Sequence, residues 1–259
     1  MKRLVPFLFI MAGVLASGLV WQGRVVATPT RSSSVKDVAG LLQALRAQVP
    51  DPADQAAIDQ LGAALRTPGM VTRSSAESPE SWIVLTFDRD GALRAVALDP
   101  DRLLQAPALI QEAILLHELE HVKHAPATRR AVNGLLAQQA AYGPRVSRQT
   151  IAVLHALIRE LVEEETRAYA RQLRHLRDRI ASAGGLEAYV ARRPQAEREP
   201  LTSFYRSQVE PFVLAAGALD DRRLRAMVDS DIFPRHYPHY AAARWWDAWQ
   251  QRRTIASLP

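Results

Sequence analysis

The segment that most constrains this chain is the apolar run Ile114–His124, ILLHELEHVKH, with the pentapeptide HELEH at 117–121. Its histidines, His117 and His121, are four positions apart. They therefore lie one turn from each other on the same helix face, where both imidazoles can reach a single ion. Zinc held by two such nitrogens needs a third protein ligand and keeps a fourth position for water. Glu118 can take the proton of that water, so the segment matches the HExxH pattern of zinc hydrolases.

The same five residues have a simpler interpretation. A helix with solvated charges and two unrelated histidines would also contain them. Whether the pattern is a metal site depends on the rest of the chain, which must supply a third ligand.

The amino-terminal 27 residues have the pattern of an export segment. Two basic residues, Lys2 and Arg3, precede an uncharged run at 4–21, and Val-Val-Ala at 25–27 offers a small-residue cleavage site. The run is long for a signal peptide and just long enough to span a bilayer, so the segment is a cleaved signal peptide or a membrane anchor, with cleavage favoured. The basic residues keep the amino end in the cytoplasm. We expect an exported protein, periplasmic or membrane-anchored, that contacts the membrane through this segment if it is not cleaved.

The composition argues against two kinds of interaction. The chain has no cysteine, which excludes disulfides and a lipoprotein anchor. Its formal charge of +6 falls to +3 when Lys2, Arg3 and Arg24 of the leader are set aside, which leaves 30 basic and 27 acidic residues. The paired arginines of the remainder are dispersed and have no interleaved aromatic residues. We therefore expect no nucleic-acid partner.

Hydrophobic periodicity predicts a mainly α fold with one small sheet. Apolar residues recur at helical spacing over 35–66 with a break at 49–52, which indicates two short helices. A β-branched and aromatic run at 82–87, the turn signal Asp-Gly at 90–91 and an apolar run at 92–98 predict a β-hairpin. The expected fold class is therefore mainly α (α+β), with a small antiparallel hairpin before the HExxH helix.

The remainder of the chain is expected to be helical with short breaks. The motif helix should begin near Pro107 and stop by Pro126, because proline is tolerated in a first turn and breaks a helix interior. The later segments are predicted as a linking helix at 127–142, a long helix at 149–183, a short helix at 186–191, a linker at 192–200, helices at 204–216 and 219–228, and an aromatic loop at 231–240.

The long helical pattern carries one acid in its buried stripe. On a helical projection Glu165 lies in the middle of the apolar face, whereas Glu163 and Glu164 point away and are interpreted as solvated charges. A lone buried carboxylate is costly unless a partner compensates its charge. That partner is a metal ion or, alternatively, an arginine or histidine in a buried ion pair.

These features together resemble a known class of enzyme. HELEH on a buried helix, a short sheet just before it and Glu-Thr-Arg-Ala at 165–168 on a later helix resemble the zincin-type metallopeptidases of the gluzincin kind, over roughly 82–176. The resemblance implies a zincin-like helical core and a Zn²⁺ ion held by His117, His121 and Glu165. The domains expected on this basis are a leader at 1–27, a linker with amino-terminal helices at 28–80, a metal-binding core at 81–183, and a helical region at 184–259 that packs on the core.

An export leader followed by Leu-Asp-Pro at 98–100 and LHELEHVKH at 116–124 is also similar to the exported and membrane-anchored members of that class. The chain departs from those members at two positions. Glu120 stands where such members often have glycine. Tyr169 stands where they often have an aspartate or asparagine that supports a ligand histidine.

The resemblance implies a zinc-dependent peptidase that hydrolyses peptide bonds of exported or envelope polypeptides. In this scheme His117, His121 and Glu165 hold the zinc, and Glu118 accepts a proton from the zinc-bound water as that water attacks the peptide carbonyl. Glu118 then passes the proton to the leaving amine. The edge of the hairpin would hold the extended substrate by strand addition.

Further donors and two alternatives complete the expectations from sequence. A tyrosine or histidine that stabilises the oxyanion would come from the aromatic loop, which offers Tyr237, His236 and His239. One alternative is a non-catalytic metal-binding or structural helical domain of the cell envelope, in effect an inactive zincin. The other takes a loop histidine as third ligand and leaves Glu165 in a structural ion pair.

Overall fold

The computed structural model of this chain describes residues 32–73, 82–142, 148–215 and 217–236. Most of these residues are helical, and three short strands form a mixed sheet, which confirms the mainly α fold with some β. Within these ranges no helix combines the length and the apolar character that crossing a bilayer requires. The leader at 1–27 lies outside the described residues.

Two helices open the described part of the chain, as the sequence predicts. Helix α1 spans Ser32–Arg46 and α2 spans Pro52–Arg66. Asp51 caps α2, because its side chain accepts a hydrogen bond from the backbone N–H of Ala53 at 2.9 Å, and Pro52 fills the first helical position. The apolar faces of both helices are buried against each other and against the sheet, through residues that include Val38, Leu42, Leu45, Ile58 and Leu61.

The sheet has the strand order β1-β3-β2. Strands β2 (Ile83–Phe87) and β3 (Leu93–Leu98) are antiparallel, which confirms the predicted hairpin. Strand β1 (Val71–Arg73) pairs parallel with β3 and lies between the second predicted helix and the predicted hairpin, where the sequence analysis predicts no strand. Three residues are too few for periodicity to mark a strand, so pairing with β3 is what defines it.

Two long helices dominate the middle of the chain. After the short helix α3 (Pro100–Gln105), α4 spans Ala108–Tyr142 and α5 spans Arg148–Ser182, and the two pack side by side. The predicted stop at Pro126 is wrong, because α4 continues through this residue. An interior proline costs a helix about 3 kcal/mol, but burial of Val122, Ala125 and Val132 on either side offsets that cost.

The hairpin turn is docked on α4 at this proline. Gly91 has a φ of +85°, and a Cβ atom placed on it would lie 2.5 Å from the backbone N and Cα of Pro126. The Asp88 side chain accepts the N–H groups of Asp90 and Ala92 at 3.0 and 2.8 Å and so holds the turn. Glycine at 91 is therefore required both by its conformation and by close approach of two backbones.

Replacing Gly91 with alanine is expected to lower the free energy of unfolding by about 2–3 kcal/mol, since the new Cβ meets backbone and the positive φ is strained. Thermal or urea unfolding of the purified variant measures this. Gly40→Ala is the matched control, because Gly40 lies inside α1 with no atom within 4 Å of the new Cβ. This control should be unchanged or up to about 1 kcal/mol more stable. Equal stability of the two variants would contradict the docking of the turn.

The carboxyl-terminal elements differ from their predicted boundaries. They are α6 (Leu186–Ala191), α7 (Gln195–Gln208), a 3₁₀ turn (Glu210–Phe212), α8 (Asp221–Met227), a π-helical turn (Val228–Ile232) and α9 (Phe233–His236). The predicted linker at 192–200 is wrong because α7 begins at Gln195 and continues through Pro200, next to the buried Leu201. The expected loop at 231–240 is helical as far as His236.

The motif helix lies between two apolar clusters. Leu115, Leu116, Leu119 and Val122 of α4 pack with α1, α2 and the sheet. A second group on α4, with Leu109, Ile110, Ala113 and Val132, packs with α5 and the carboxyl-terminal elements. The segment that carries HELEH is thus held from both sides, as its predicted burial requires.

Candidate metal centre

The candidate site lies between the two long helices. α4 supplies His117 and His121, and α5 supplies Glu165 near its middle. The side chains of these residues are only 12%, 13% and 10% exposed, respectively. Glu163, two positions earlier on α5, is 40% exposed and pairs with Arg225. The predicted inward orientation of Glu165 is therefore what the structure has.

The three side chains converge on one point. His117 Nε2 lies 3.2 Å from His121 Nε2, and Glu165 Oε2 lies 3.9 Å from the first nitrogen and 3.7 Å from the second. A point equidistant from the three atoms is about 2.1 Å from each, within the roughly 2.0–2.2 Å of zinc–nitrogen and zinc–oxygen bonds. His117, His121 and Glu165 can therefore hold a metal ion.

The donor set also fits zinc chemically. Two imidazole nitrogens and one carboxylate oxygen form one of the ligand sets of catalytic zinc sites. Structural zinc sites in proteins use four protein ligands, whereas three leave a coordination position for water or substrate. A three-ligand arrangement of this kind is therefore typical of a zinc site that binds water or substrate.

Acidic side chains outnumber the histidines here and set the electrostatics. Burial by itself lowers the pKa of His121, but the carboxylates of Glu165, Glu164 and Glu118 outweigh it and raise this pKa to about 10. The imidazole therefore holds a proton strongly. A cation that takes the His121 Nε2 lone pair replaces that proton, so binding would release it to solvent.

Burial also controls Glu118. It raises the pKa of this carboxyl group from 4.5 to about 8; the positive charge of His121 opposes the shift and the negative charge of Glu165 adds to it. A pKa near neutrality suits a group that must first accept a proton and then return it. A dication at the site would lower this pKa again, because it favours the ionised carboxylate.

Glu164 is placed differently from its sequence interpretation. Its side chain is 14% exposed, and Oε1 lies 3.1 Å from Nδ1 of His121. The expectation of a solvated charge is wrong, because α4 covers this side of α5. Tyr169, at the position where a supporting acid or amide was expected, instead packs its ring against that of His117, with centroids 4.6 Å apart and planes at 80°.

A charged cluster next to the site connects it to the amino-terminal helices. Asp54 of α2 is 3% exposed. One of its carboxylate oxygens accepts a hydrogen bond from Lys123 Nζ at 2.9 Å, and the other accepts one from Arg171 Nη2. Lys123 also lies 3.4 Å from Glu120, whose second oxygen is 3.0 Å from His124 Nε2. Because Lys123 is on α4 and Arg171 on α5, one carboxylate joins both ligand-bearing helices to α2.

The three proposed oxyanion donors are not placed by this structure. Tyr237 and His239 lie outside the described residues, and His236 is described only as the last backbone position of α9. Their roles remain predictions. Sequence reasoning missed Asp54 and Glu164. The available signal for Asp54 was its position, because it is an acid at the start of a predicted helix that it does not cap.

Comparisons with known protein families, with curated proteins and with solved structures found nothing that matches this chain. The function of this protein is therefore inferred from the residues of the site.

Proposed function

We propose that this protein is a zinc-dependent metallopeptidase. The observation that carries the proposal is the position of His117 Nε2, His121 Nε2 and Glu165 Oε2, equidistant from a point at zinc-bond distance. Glu118 is adjacent to the first ligand, and the charge of a dication at the site would favour its ionised carboxylate, which is the form that can accept a proton. Metal ligands and a general base in this arrangement are the parts that peptide hydrolysis needs.

Each residue has a defined task in this proposal. A zinc ion held by these residues would supply a Lewis acid that polarises the peptide carbonyl and lowers the pKa of water at the site. The Glu118 carboxylate accepts the proton of the attacking water and delivers it to the leaving amine. His117, His121 and Glu165 fix the position of the ion. The apolar residues around HELEH exclude bulk water and so strengthen these interactions.

The substrate we propose is an exported or envelope polypeptide. The leader at 1–27, with two basic residues followed by a long uncharged run, supports this part of the proposal. Fractionation of cells that express the full chain tests it. Recovery of the protein in the cytoplasm would contradict an envelope substrate but would not contradict the proposed zinc site.

The test of catalysis is the Glu118→Gln variant. We expect it to bind zinc as the wild type does and to hydrolyse a mixed peptide library about 10²–10⁴-fold more slowly, because the amide cannot accept the proton. Liquid chromatography with mass spectrometry detects the products, and a chelator should abolish the wild-type activity. Glu163→Gln is the control. Because Glu163 faces solvent, this substitution should leave the rate unchanged.

The same experiment addresses a second candidate, a non-catalytic metal-binding domain of the envelope. Tyr169 favours this candidate, because it occupies the position at which the resembling peptidases often have a supporting acid or amide. If neither the zinc-loaded wild type nor the zinc-loaded Glu118→Gln variant cleaves any peptide, the protein is the non-catalytic domain.

A further inference from the structure

Glu164 and Glu165 contact the same imidazole from two directions. Glu164 Oε1 lies 3.1 Å from Nδ1 of His121, and Glu165 Oε2 lies 3.7 Å from Nε2 of that ring. Consecutive helical residues point about 100° apart. This angle lets α5 present one carboxylate to each nitrogen of a ring that belongs to α4.

The contact at Nδ1 determines what Nε2 can do. A carboxylate only accepts hydrogen bonds, so the proton of the His121–Glu164 bond is on Nδ1. The neutral ring then carries its lone pair on Nε2, which is the atom that faces His117 Nε2 at 3.2 Å. Glu164 thus selects the tautomer that can bind a cation between the helices and also sets the plane of the ring.

We propose that Glu164 is a positioning residue for the metal ligand His121. The proposal rests on the metal site of the proposed function and is independent of peptide cleavage. Glu164 acts through His121 and does not itself contact the ion. His117 is held differently, through the edge-on contact of its ring with Tyr169.

Other histidine–glutamate pairs in the described part of the chain have the opposite geometry. His175 bonds to Glu112, and His124 bonds to Glu120, each through Nε2 at 3.0 Å. The Glu112 pair is nearly as buried as the Glu164 pair, with exposures of 18% and 21%. It therefore provides a matched control, because the same kind of bond is made in a similar environment through Nε2 instead of Nδ1.

The test compares Glu164→Ala with Glu112→Ala in the full chain. Zinc chloride is titrated in competition with a chromophoric chelator, and histidine nitrogens are observed by long-range proton–nitrogen NMR. Glu164→Ala should raise the zinc Kd about 10- to 100-fold, as loss of an outer-shell partner does. It should also remove the downfield, hydrogen-bonded Nδ1 proton of His121. Glu112→Ala should change neither measurement.

Glu164→Gln provides a second variant if the alanine variant does not fold. The amide keeps an acceptor oxygen, so we expect a smaller loss of zinc affinity than the alanine change would cause. In Glu164→Ala, zinc affinity within twofold of wild type, with the Nδ1 proton retained, overturns the proposal while the proposed function stands. If only Glu164→Gln folds, a zinc Kd equal to that of the wild type overturns it. Wild-type protein that binds no zinc overturns the proposed function, and the NMR comparison of the metal-free proteins then still decides whether Glu164 holds the His121 proton.

Discussion

Replacing Glu165 with alanine is expected to abolish stoichiometric zinc binding. The variant keeps both histidines but loses Glu165 Oε2, a carboxylate oxygen that lies within 4 Å of both Nε2 atoms. Loss of an outer-shell partner costs about 10- to 100-fold in metal affinity, and loss of a direct ligand should cost more than that. Metal analysis of the dialysed protein by plasma mass spectrometry measures the result, with about one zinc per chain expected for the wild type.

Glu163→Ala is the control for this measurement. Its side chain is on the same helix, is 40% exposed and pairs with Arg225, so its removal should leave zinc content unchanged. A Glu165→Ala variant that still holds one zinc per chain would contradict the ligand assignment. It would favour the alternative in which a histidine of the aromatic loop, His236 or His239, completes the site.

Replacing Asp54 with alanine is expected to lower the free energy of unfolding by about 2–4 kcal/mol. Breaking a buried ion pair costs about 3–5 kcal/mol, because the remaining charge is left without compensation. The expected value is lower here, since Lys123 and Arg171 are 19% and 35% exposed and Lys123 keeps Glu120 at 3.4 Å. For a chain of this size the melting temperature should fall by roughly 5–15 °C.

Asp59→Ala is the matched control, because it breaks an aspartate–arginine pair on the same helix at the surface. Asp59 and Arg46 are 54% and 41% exposed, so the loss should be within about 1 kcal/mol. Calorimetry or urea unfolding of both variants gives the comparison. Equal losses would show that Asp54 contributes no more than a surface charge.

Much of the candidate site follows from helical periodicity. The i, i+4 spacing of His117 and His121 needs no tertiary information, and the apolar stripe of the long helix selects Glu165 among three consecutive acids. The same projection fails for Glu164. A helical wheel describes one helix alone, and the environment of Glu164 is created by His121 of α4.

The errors in the fold have a common cause. Pro126 and Pro200 are both inside helices, although proline locally disfavours a helix interior. Burial of the neighbouring residues outweighs that local preference, and burial is a property of the assembled structure. Strand β1 is likewise defined by a partner strand, β3, and not by its own three residues. Local propensity therefore places the elements, and tertiary packing sets where several of them end.

The contacts of Asp54 bear on how this protein can be processed by proteolysis. The inhibitory segment of a zymogen must be removable without unfolding the enzyme that it covers. Residues 32–66 do not meet that requirement, because Leu42, Ile58 and Leu61 belong to the apolar core that supports the HELEH helix, and Asp54 bonds to both ligand-bearing helices. We therefore expect these residues to persist in the mature protein as part of the scaffold of the candidate metal site.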